Sequence, residues 1–291
     1  MSKLGLGTVQ FGIDYGVNSV DGQVRPEEVK KILSYAYSKH INLLDTAPAY
    51  GKSERILGRI NNSDFKVVTK TRHFDSLKIT NKEVGLLNND FNDSLNNLNQ
   101  ENIYGLLIHN ADDLLKPGAE KIFDKLQELK HTKKLIKVGV SVYDHIQLKS
   151  ILDIFDIDIV QLPLNILDRR MIDSGMLALL YSKGIEVHVR SVFLQGLLLM
   201  SAKNRPSKFN RWSGLWNLWH EWLNDNQISA VEAAIRHAVS FPEISKVLVG
   251  VDTVNQLKEI FIATSGVLPK IPVELYTDDT DLLNPSNWGR L

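Results

Sequence analysis

Residues 41–58 read INLLDTAPAYGKSERILG and run from an apolar segment through a loop of small residues into a helical pattern. Residues 41–44 are mostly apolar, as a short parallel strand covered on both faces requires. Asp45 stands where that run stops. Thr46, Ala47, Pro48 and Ala49 suit a tight loop, which delivers Tyr50 beside Gly51 just before SERILG opens a helix. Strand, loop and helix in this order, repeated, build a barrel whose chemistry sits in the loops after the strands.

Upstream, residues 4–7 read as a short strand that leaves through GLGTVQFG. Gly5, Gly7 and Gly12 lack the G-x-G-x-x-G spacing of a dinucleotide fingerprint and run into turn-rich DYGVNSVDG instead of a helix. Pro26 opens a helix with Val29, Ile32, Leu33 and Ala36 on one face. Downstream, a helix over 53–60 precedes FKVVTK, a strand ending at Lys70. Leu87, Phe91, Leu95 and Leu98 give residues 83–98 helical spacing. IYGLLIH is a strand that ends at His109, and 119–129 is the next amphipathic helix. Further strands over 136–141, 158–162, 185–189 and 247–250 alternate with helices over 144–152, 171–182, 228–239 and 254–263. Eight strands, each followed by a helical stretch with no Pro/Gly-rich linker between them, predict an α/β fold: one (β/α)8 TIM barrel over residues 1–291. An insertion at 197–226, after the seventh strand, and a tail from Leu268 fall outside the repeat and are expected over the active face.

Composition narrows the chemistry. At 291 residues the chain exceeds the common domain size, yet barrels of about 250 residues fold around one core. No apolar run approaches the roughly 18 residues of a membrane span, and MSKLGLGTVQFG carries no signal-peptide core, so a cytoplasmic protein is expected. The absence of cysteine excludes a disulfide framework, a thiolate nucleophile and a cysteine-held metal. Thirty-four basic residues balance 34 acidic ones, leaving no global field for nucleic acid or an anionic membrane. Affinity has to come from a local site for a small molecule, for which a monomer suffices and no metal is called for.

Asp45, Lys70 and His109 end the second, third and fourth strands, so their side chains emerge on one rim, with adjacent strands about 4.8 Å apart. Singly, a strand-end Asp caps a loop, a Lys is solvated and a His packs in the core. Jointly, with Tyr50 in the Asp45 loop, they form a constellation. A phenol with a pKa of about 10 is a poor acid at neutral pH, but an ammonium about 4 Å away attracts the phenolate by roughly 4 kcal/mol at an effective dielectric of about 20. The expectation is therefore a Tyr50 lowered by Lys70, with Asp45 holding Lys70 charged. His109 would hydrogen-bond the same substrate oxygen. Such a group suits proton donation to an aldehyde or ketone oxygen while hydride reaches the carbon from a cofactor. Two other uses stay open: a lyase with Lys70 as Schiff base, which Asp45 argues against, and a nicotinamide-binding, redox-sensing regulatory subunit.

DTAPAYGKSERILG resembles the D-T-A-x-x-Y-G-x-S-E-x-x-L-G motif of the aldo-keto reductases at every fixed position. LGLGTVQFG, VVTK, LLIH, KVGVS, VQLPLN, SVFLQGLL and VLVGVDTVNQL follow in family order. The resemblance implies an NAD(P)H-dependent carbonyl reductase with Tyr50 as general acid, Asp45 and Lys70 tuning it, and His109 orienting the carbonyl. It further implies Ser141 and Gln161 on the nicotinamide carboxamide and Gly7, Thr8 and Asp45 along the cofactor. Ser191, Phe193 and Gln195 fall under the pyrophosphate, and Gly250, Thr253 and Gln256 in the last cofactor loop. Three positions depart from the family. Val142 replaces an Asn. Arg190 stands where an aromatic ring stacks on the nicotinamide, a place a planar guanidinium can also take. Val251 and Asp252 stand where basic side chains clamp the adenosine 2′-phosphate. NADP(H) is what the family implies and NAD(H) the alternative, although free N–H groups of the helix starting near Thr253 could hold a phosphate without a clamp.

The substrate is expected to be an aldehyde or ketone, sugar-like in one version, with Phe11, Tyr15, Asn110 and Trp212 as candidates for its rim. Trp212, Trp216, Trp219 and Trp222 share one helix face in the insertion, which packs on the barrel or walls the pocket. His188, inside the seventh strand, reads as core.

Overall fold

The computed structural model describes residues 2–17, 22–60 and 64–291; residues 18–21 of the turn-rich reading lie outside them. Strands β1 (Leu4–Gly7), β2 (Leu43–Asp45), β3 (Lys66–Lys70), β4 (Ile103–Ile108), β5 (Leu135–Ser141), β6 (Ile159–Pro163), β7 (Glu186–Arg190) and β8 (Lys246–Gly250) close in chain order into a barrel. All neighbours are parallel, and β1 completes the circle against β8 with Gly7 opposite Gly250.

Strand periodicity sorts the apolar residues. Leu43, Val68, Leu107, Ile159 and Leu248 fill the barrel interior, whereas their neighbours Leu44, Val67, Leu106, Val160 and Val247 face outward into the helices. Gly105 makes room in the interior, since a Cβ there would lie 2.8 Å from Ile159 Cδ1.

Local chemistry moves some element ends. The helices expected from 83 and 228 start at Asn81 and Ala230, because Thr80 and Ser229 close capping boxes with Glu83 and Glu232. The single helix expected over 171–182 is two, Arg170–Asp173 and Met176–Ser182, broken where Gly175 adopts φ +72°. A turn glycine overrides an apolar periodicity that continues across it. Asp45 is the last residue of β2, paired with Gly7 and Val68, where the reading of the strand's end placed it.

The insertion and the tail pack on each other. Phe209 and the tryptophans at 212, 216, 219 and 222 meet Leu275, Leu282, Leu283 and Trp288 in a second apolar cluster. Each buried indole N–H finds an acceptor: Trp216 at Phe209 O (3.0 Å), Trp219 at Leu198 O (3.1 Å), Trp222 at Lys270 O (3.0 Å). Trp212 donates to Asp279 Oδ2 at 2.9 Å, and the Arg211 guanidinium covers its ring at 4.3 Å. It is therefore a seam between insertion and tail and not a pocket wall. Among the described residues no helix is long and apolar enough to cross a membrane.

Candidate active site

The loop that carries Tyr50 is clamped to the loop after β1. Thr8 donates twice to Asp45 O, from its N–H at 3.0 Å and its hydroxyl at 2.9 Å. A Cβ on Gly12 would fall 1.7 Å from Tyr50 O, and Gly51 next to it has φ +59°. Only glycine tolerates either place, so backbone contact sets where the phenol stands.

Beneath it, Lys70 Nζ donates to both Asp45 carboxylate oxygens, at 2.8 and 2.7 Å, and to Thr46 O at 3.0 Å. Asp45 Oδ1 also accepts from Gln161 Nε2 at 2.6 Å. The ammonium lies 4.9 Å from the Tyr50 ring centroid. Across the ring, His109 meets Tyr50 edge to face at 6.3 Å, and His73 stands 4.9 Å behind His109. The His109 backbone is tied to the residue after β3 through its N–H on Thr71 Oγ1 at 3.2 Å.

The electrostatics correct one expectation. Burial pushes the Tyr50 phenol above its ordinary pKa; Lys70 opposes this but does not reverse it, and Asp45 adds to it. The Lys70 charge is largely committed to the carboxylate it touches. Tyr50 thus keeps its proton at neutral pH. Burial works against the Lys70 ammonium, but Asp45 and Tyr50 outweigh it and raise its pKa. His109 is pushed down to about 3, first by burial and then by Lys70, His73 and Arg190, so its imidazole is neutral.

These groups open into one cavity of about 830 Å³. Of the residues expected to bind cofactor, Gly7, Thr8, Asp45, Ser141, Gln161, Arg190, Ser191, Phe193, Gln195, Gly250 and Gln256 line it, as do Tyr15 and Asn110 on the substrate side. Lys70 lies just beneath the surface, 2% exposed. Phe11 does not face the cavity: it is fully buried in the core between barrel and helices, since the short helix Val9–Gly12 turns it inward. Thr253 does not line it either; its hydroxyl caps the helix Val254–Ala263.

Sequence reading missed Gln10, His73, Asp112, Tyr143, Asp144, Gln147, Glu259 and Ser286, all in the lining. His73 and Tyr143 carried a usable signal, standing a few residues past Lys70 and Ser141. Ser286 comes from the tail and carried none.

The lining fits a nicotinamide dinucleotide in two respects. Gln10 Oε1 and His109 Nδ1 are buried without a hydrogen-bond partner among the described residues, as groups reserved for a ligand would be. After β7, Ser191, Leu194 and Gln195 hold φ of +61°, +48° and +52°. Each such non-glycine conformation costs about 1–3 kcal/mol and concentrates where a backbone has been shaped for a ligand. Asn165 Nδ2 on Ser191 O (3.3 Å), Val17 N–H on Gln195 O (3.1 Å) and Gln195 Nε2 on Tyr15 OH (2.8 Å) hold this loop in place.

The helix start near Thr253 departs from expectation. Most of its N–H groups are in use: those of Asp252 and Thr253 on Gln256 Oε1 at 2.6 and 3.3 Å, that of Gln256 on Thr253 Oγ1 at 3.2 Å, and that of Val254 on Glu28 Oε1 at 2.8 Å. A carboxylate from the helix Pro26–Ser38 thus takes the place foreseen for a phosphate. Asp252 and Glu259 line the same end of the cavity, while Lys258 Nζ sits 5.9 Å over the Tyr35 ring. Arg190, at the end of β7, donates from Nη2 to Val142 O at 3.1 Å and from Nη1 to Ser191 Oγ at 3.4 Å, and its Cζ lies 4.3 Å over the Tyr143 ring.

Ionisable groups converging at the C-terminal rim of a closed parallel barrel, over a cavity of this size, match the placement of active sites on (β/α)8 barrels. The chain belongs to the aldo/keto reductase family, whose model matches residues 3–274. It is 28% identical over 218 residues to the NADH-specific methylglyoxal reductase of Escherichia coli (strain K12), a match covering 68% of this chain and 65% of that protein. Among solved structures, the holo form of an aldo-keto reductase from Bacillus halodurans superposes with a TM-score of 0.71 at 19% identity, covering 92% of this chain and 88% of that one. The glycerol dehydrogenase of Gluconobacter oxydans gives 0.68 at 20% identity, with 93% and 88% covered. At such identities the two structures speak for the fold.

Proposed function

We propose that the chain reduces a small polar aldehyde or ketone, with Tyr50 as the proton donor and NADH as the preferred cofactor. The observation that carries this reading is the Lys70–Asp45 pair set 4.9 Å from the Tyr50 ring, with neutral His109 on its other side in one cavity. When bound, the nicotinamide supplies hydride to the carbonyl carbon. Tyr50 arrives protonated because burial raises it, and gives up its proton as negative charge grows on the carbonyl oxygen. The ammonium of Lys70, kept charged by Asp45, stabilises the phenolate left behind. His109 donates a hydrogen bond to the same oxygen and adds no charge. Ser141 and Gln161 would hold the carboxamide, and Asn110 and Gln147 offer hydrogen bonds to hydroxyls of a sugar-like substrate.

Three observations support NADH. A 2′-phosphate near the last strand would meet Asp252 and Glu259, the Asp252, Thr253 and Val254 N–H groups are engaged by Gln256 and Glu28, and Lys258 lies over Tyr35 with its charge acting on Glu28. The Escherichia coli relative is NADH-specific by name. Against a Schiff-base lyase stand the enclosure of Lys70 and its raised pKa.

The test follows loss of the reduced-nicotinamide absorbance band with NADH or NADPH against a panel of aldehydes, ketones and sugars. Carbonyl-dependent oxidation, faster with NADH and roughly 100-fold slower in Tyr50→Phe, is expected. Turnover that survives Tyr50→Phe would sink the proton-donor assignment.

A further inference from the structure

We propose that Arg190 anchors an anionic group of the substrate, so that the molecule reduced here carries a carboxylate or phosphate a few atoms from its carbonyl; this rests on the reductase reading above. Arg190 is the single Arg or Lys among the described residues lining the cavity. Arg72, Arg169, Arg170, Arg211 and Arg236 each pair with an Asp or Glu. Arg190 forms no ion pair among the described residues.

The carboxylates of the same cavity are committed elsewhere or stand at its other end. Asp45 holds Lys70, Asp112 accepts from Gln147 Nε2 at 2.6 Å, and Asp144 caps its helix through the Gln147 N–H at 2.8 Å. Asp252 and Glu259 lie at the last-strand end. A guanidinium has five N–H donors arranged to meet a planar or tetrahedral oxyanion. Here one sound backbone bond, to Val142 O, a long one to Ser191 Oγ and a hydrogen bond to the Tyr143 phenol are made, which leaves N–H donors for a ligand.

The side chain is also held for the task. Stacking on Tyr143 and the bond to Val142 O fix its plane before any ligand arrives, which lowers the ordering cost of docking. Its charge bears on both the Tyr50 phenol and the His109 imidazole, so one small molecule can present its carbonyl to these two and its anion to Arg190.

The experiment compares kcat/KM within matched pairs: succinic semialdehyde against butyraldehyde, glyoxylate against acetaldehyde, and glyceraldehyde 3-phosphate against glyceraldehyde. Wild type is expected to favour the charged member of at least one pair by about 10- to 100-fold, mainly through KM, and the responding pair tells carboxylate from phosphate. In Arg190→Gln that ratio should collapse toward one, and Arg190→Lys, which keeps the charge and loses the fork, should restore part of it. Equal rates within every pair in wild type, or a ratio that persists in Arg190→Gln, overturn the proposal. So does an unchanged ratio accompanied by weaker NADH binding in a fluorescence titration, which would assign Arg190 to the cofactor. Calorimetry of succinate and of inorganic phosphate on the enzyme–NADH complex needs no turnover. Binding of either that Arg190→Gln abolishes supports the anchor even if no carbonyl of the panel is reduced, an outcome that would sink only the reductase reading. Binding of neither overturns the anchor.

Discussion

Replacing Lys70 by Met removes one charge from a pair that has two tasks, and the two losses can be separated. The ammonium touches both oxygens of Asp45 at 2.7–2.8 Å, with side chains 1% and 7% exposed. Taking away one partner of a buried ion pair strands the other, at about 3–5 kcal/mol of stability. Separately, the ammonium lies 4.9 Å from the Tyr50 ring. At an effective dielectric of about 20, its attraction for a phenolate there is about 3 kcal/mol, or roughly 100- to 300-fold in rate. Lys70→Met should therefore lower both the urea midpoint and kcat. In Asp45→Asn/Lys70→Met no buried charge is stranded, so the midpoint should recover most of its loss while kcat stays low. Denaturation and steady-state rates of the three proteins decide the matter. A double variant that regains kcat along with stability would falsify the assignment of Lys70 to the proton-transfer step and leave it a structural ion pair.

His109 titrates near 3, so kcat should show no acid limb from it between pH 5 and 8; a limb with a midpoint near 6.5, lost in His109→Gln, would mean the imidazole is better solvated than its place suggests. The same depression links to stability: the folded chain binds fewer protons at His109 than the unfolded one, so its contribution is present above about pH 6.5 and fades as pH falls toward 3, measurable as a declining urea midpoint. Asp252→Asn should tighten NADPH by about 1 kcal/mol with NADH nearly unchanged, read by fluorescence titration, and equal NADPH affinity in both proteins would place the Asp252 charge away from the adenosine. At the N-terminal end of the barrel, Glu186 accepts from Tyr104 OH at 2.7 Å, contacts Lys137, and meets His188 Nε2 at 2.7 Å; despite burial these partners hold its carboxyl far below the usual range. Its stabilisation is present above about pH 4.5 and lost as pH falls through the depressed pKa, so Glu186→Ala should cost about 3–5 kcal/mol at pH 7 and less in acid; an equal cost at pH 7 and pH 3 would show that the charge is not what matters.

Much of the molecule follows from local pattern. Eight short apolar runs, too short for helices and each followed by a helical period, leave few arrangements other than a closed parallel barrel, and a side chain that ends such a run must emerge on the C-terminal rim. Asp45, Lys70 and His109 were legible for that reason, and Tyr50 because small residues and a glycine bring it to the same rim. What depends on contacts between distant segments was not legible. An apolar stripe such as Trp212 to Trp222 has the same spacing whether it walls a pocket or packs on a tail, and only the tail's Leu275, Leu282 and Trp288 settle that it packs. The sign of the Tyr50 shift is a balance of burial against Lys70, and burial is a property of the whole fold. Glu28 reaches the Val254 N–H from 226 residues away in the chain and so takes a donor that the local capping box of Thr253 and Gln256 leaves open. Arg190 shows the same division: its position at the end of β7 was readable, whereas its having no ion pair among the described residues is a fact about which loops meet there.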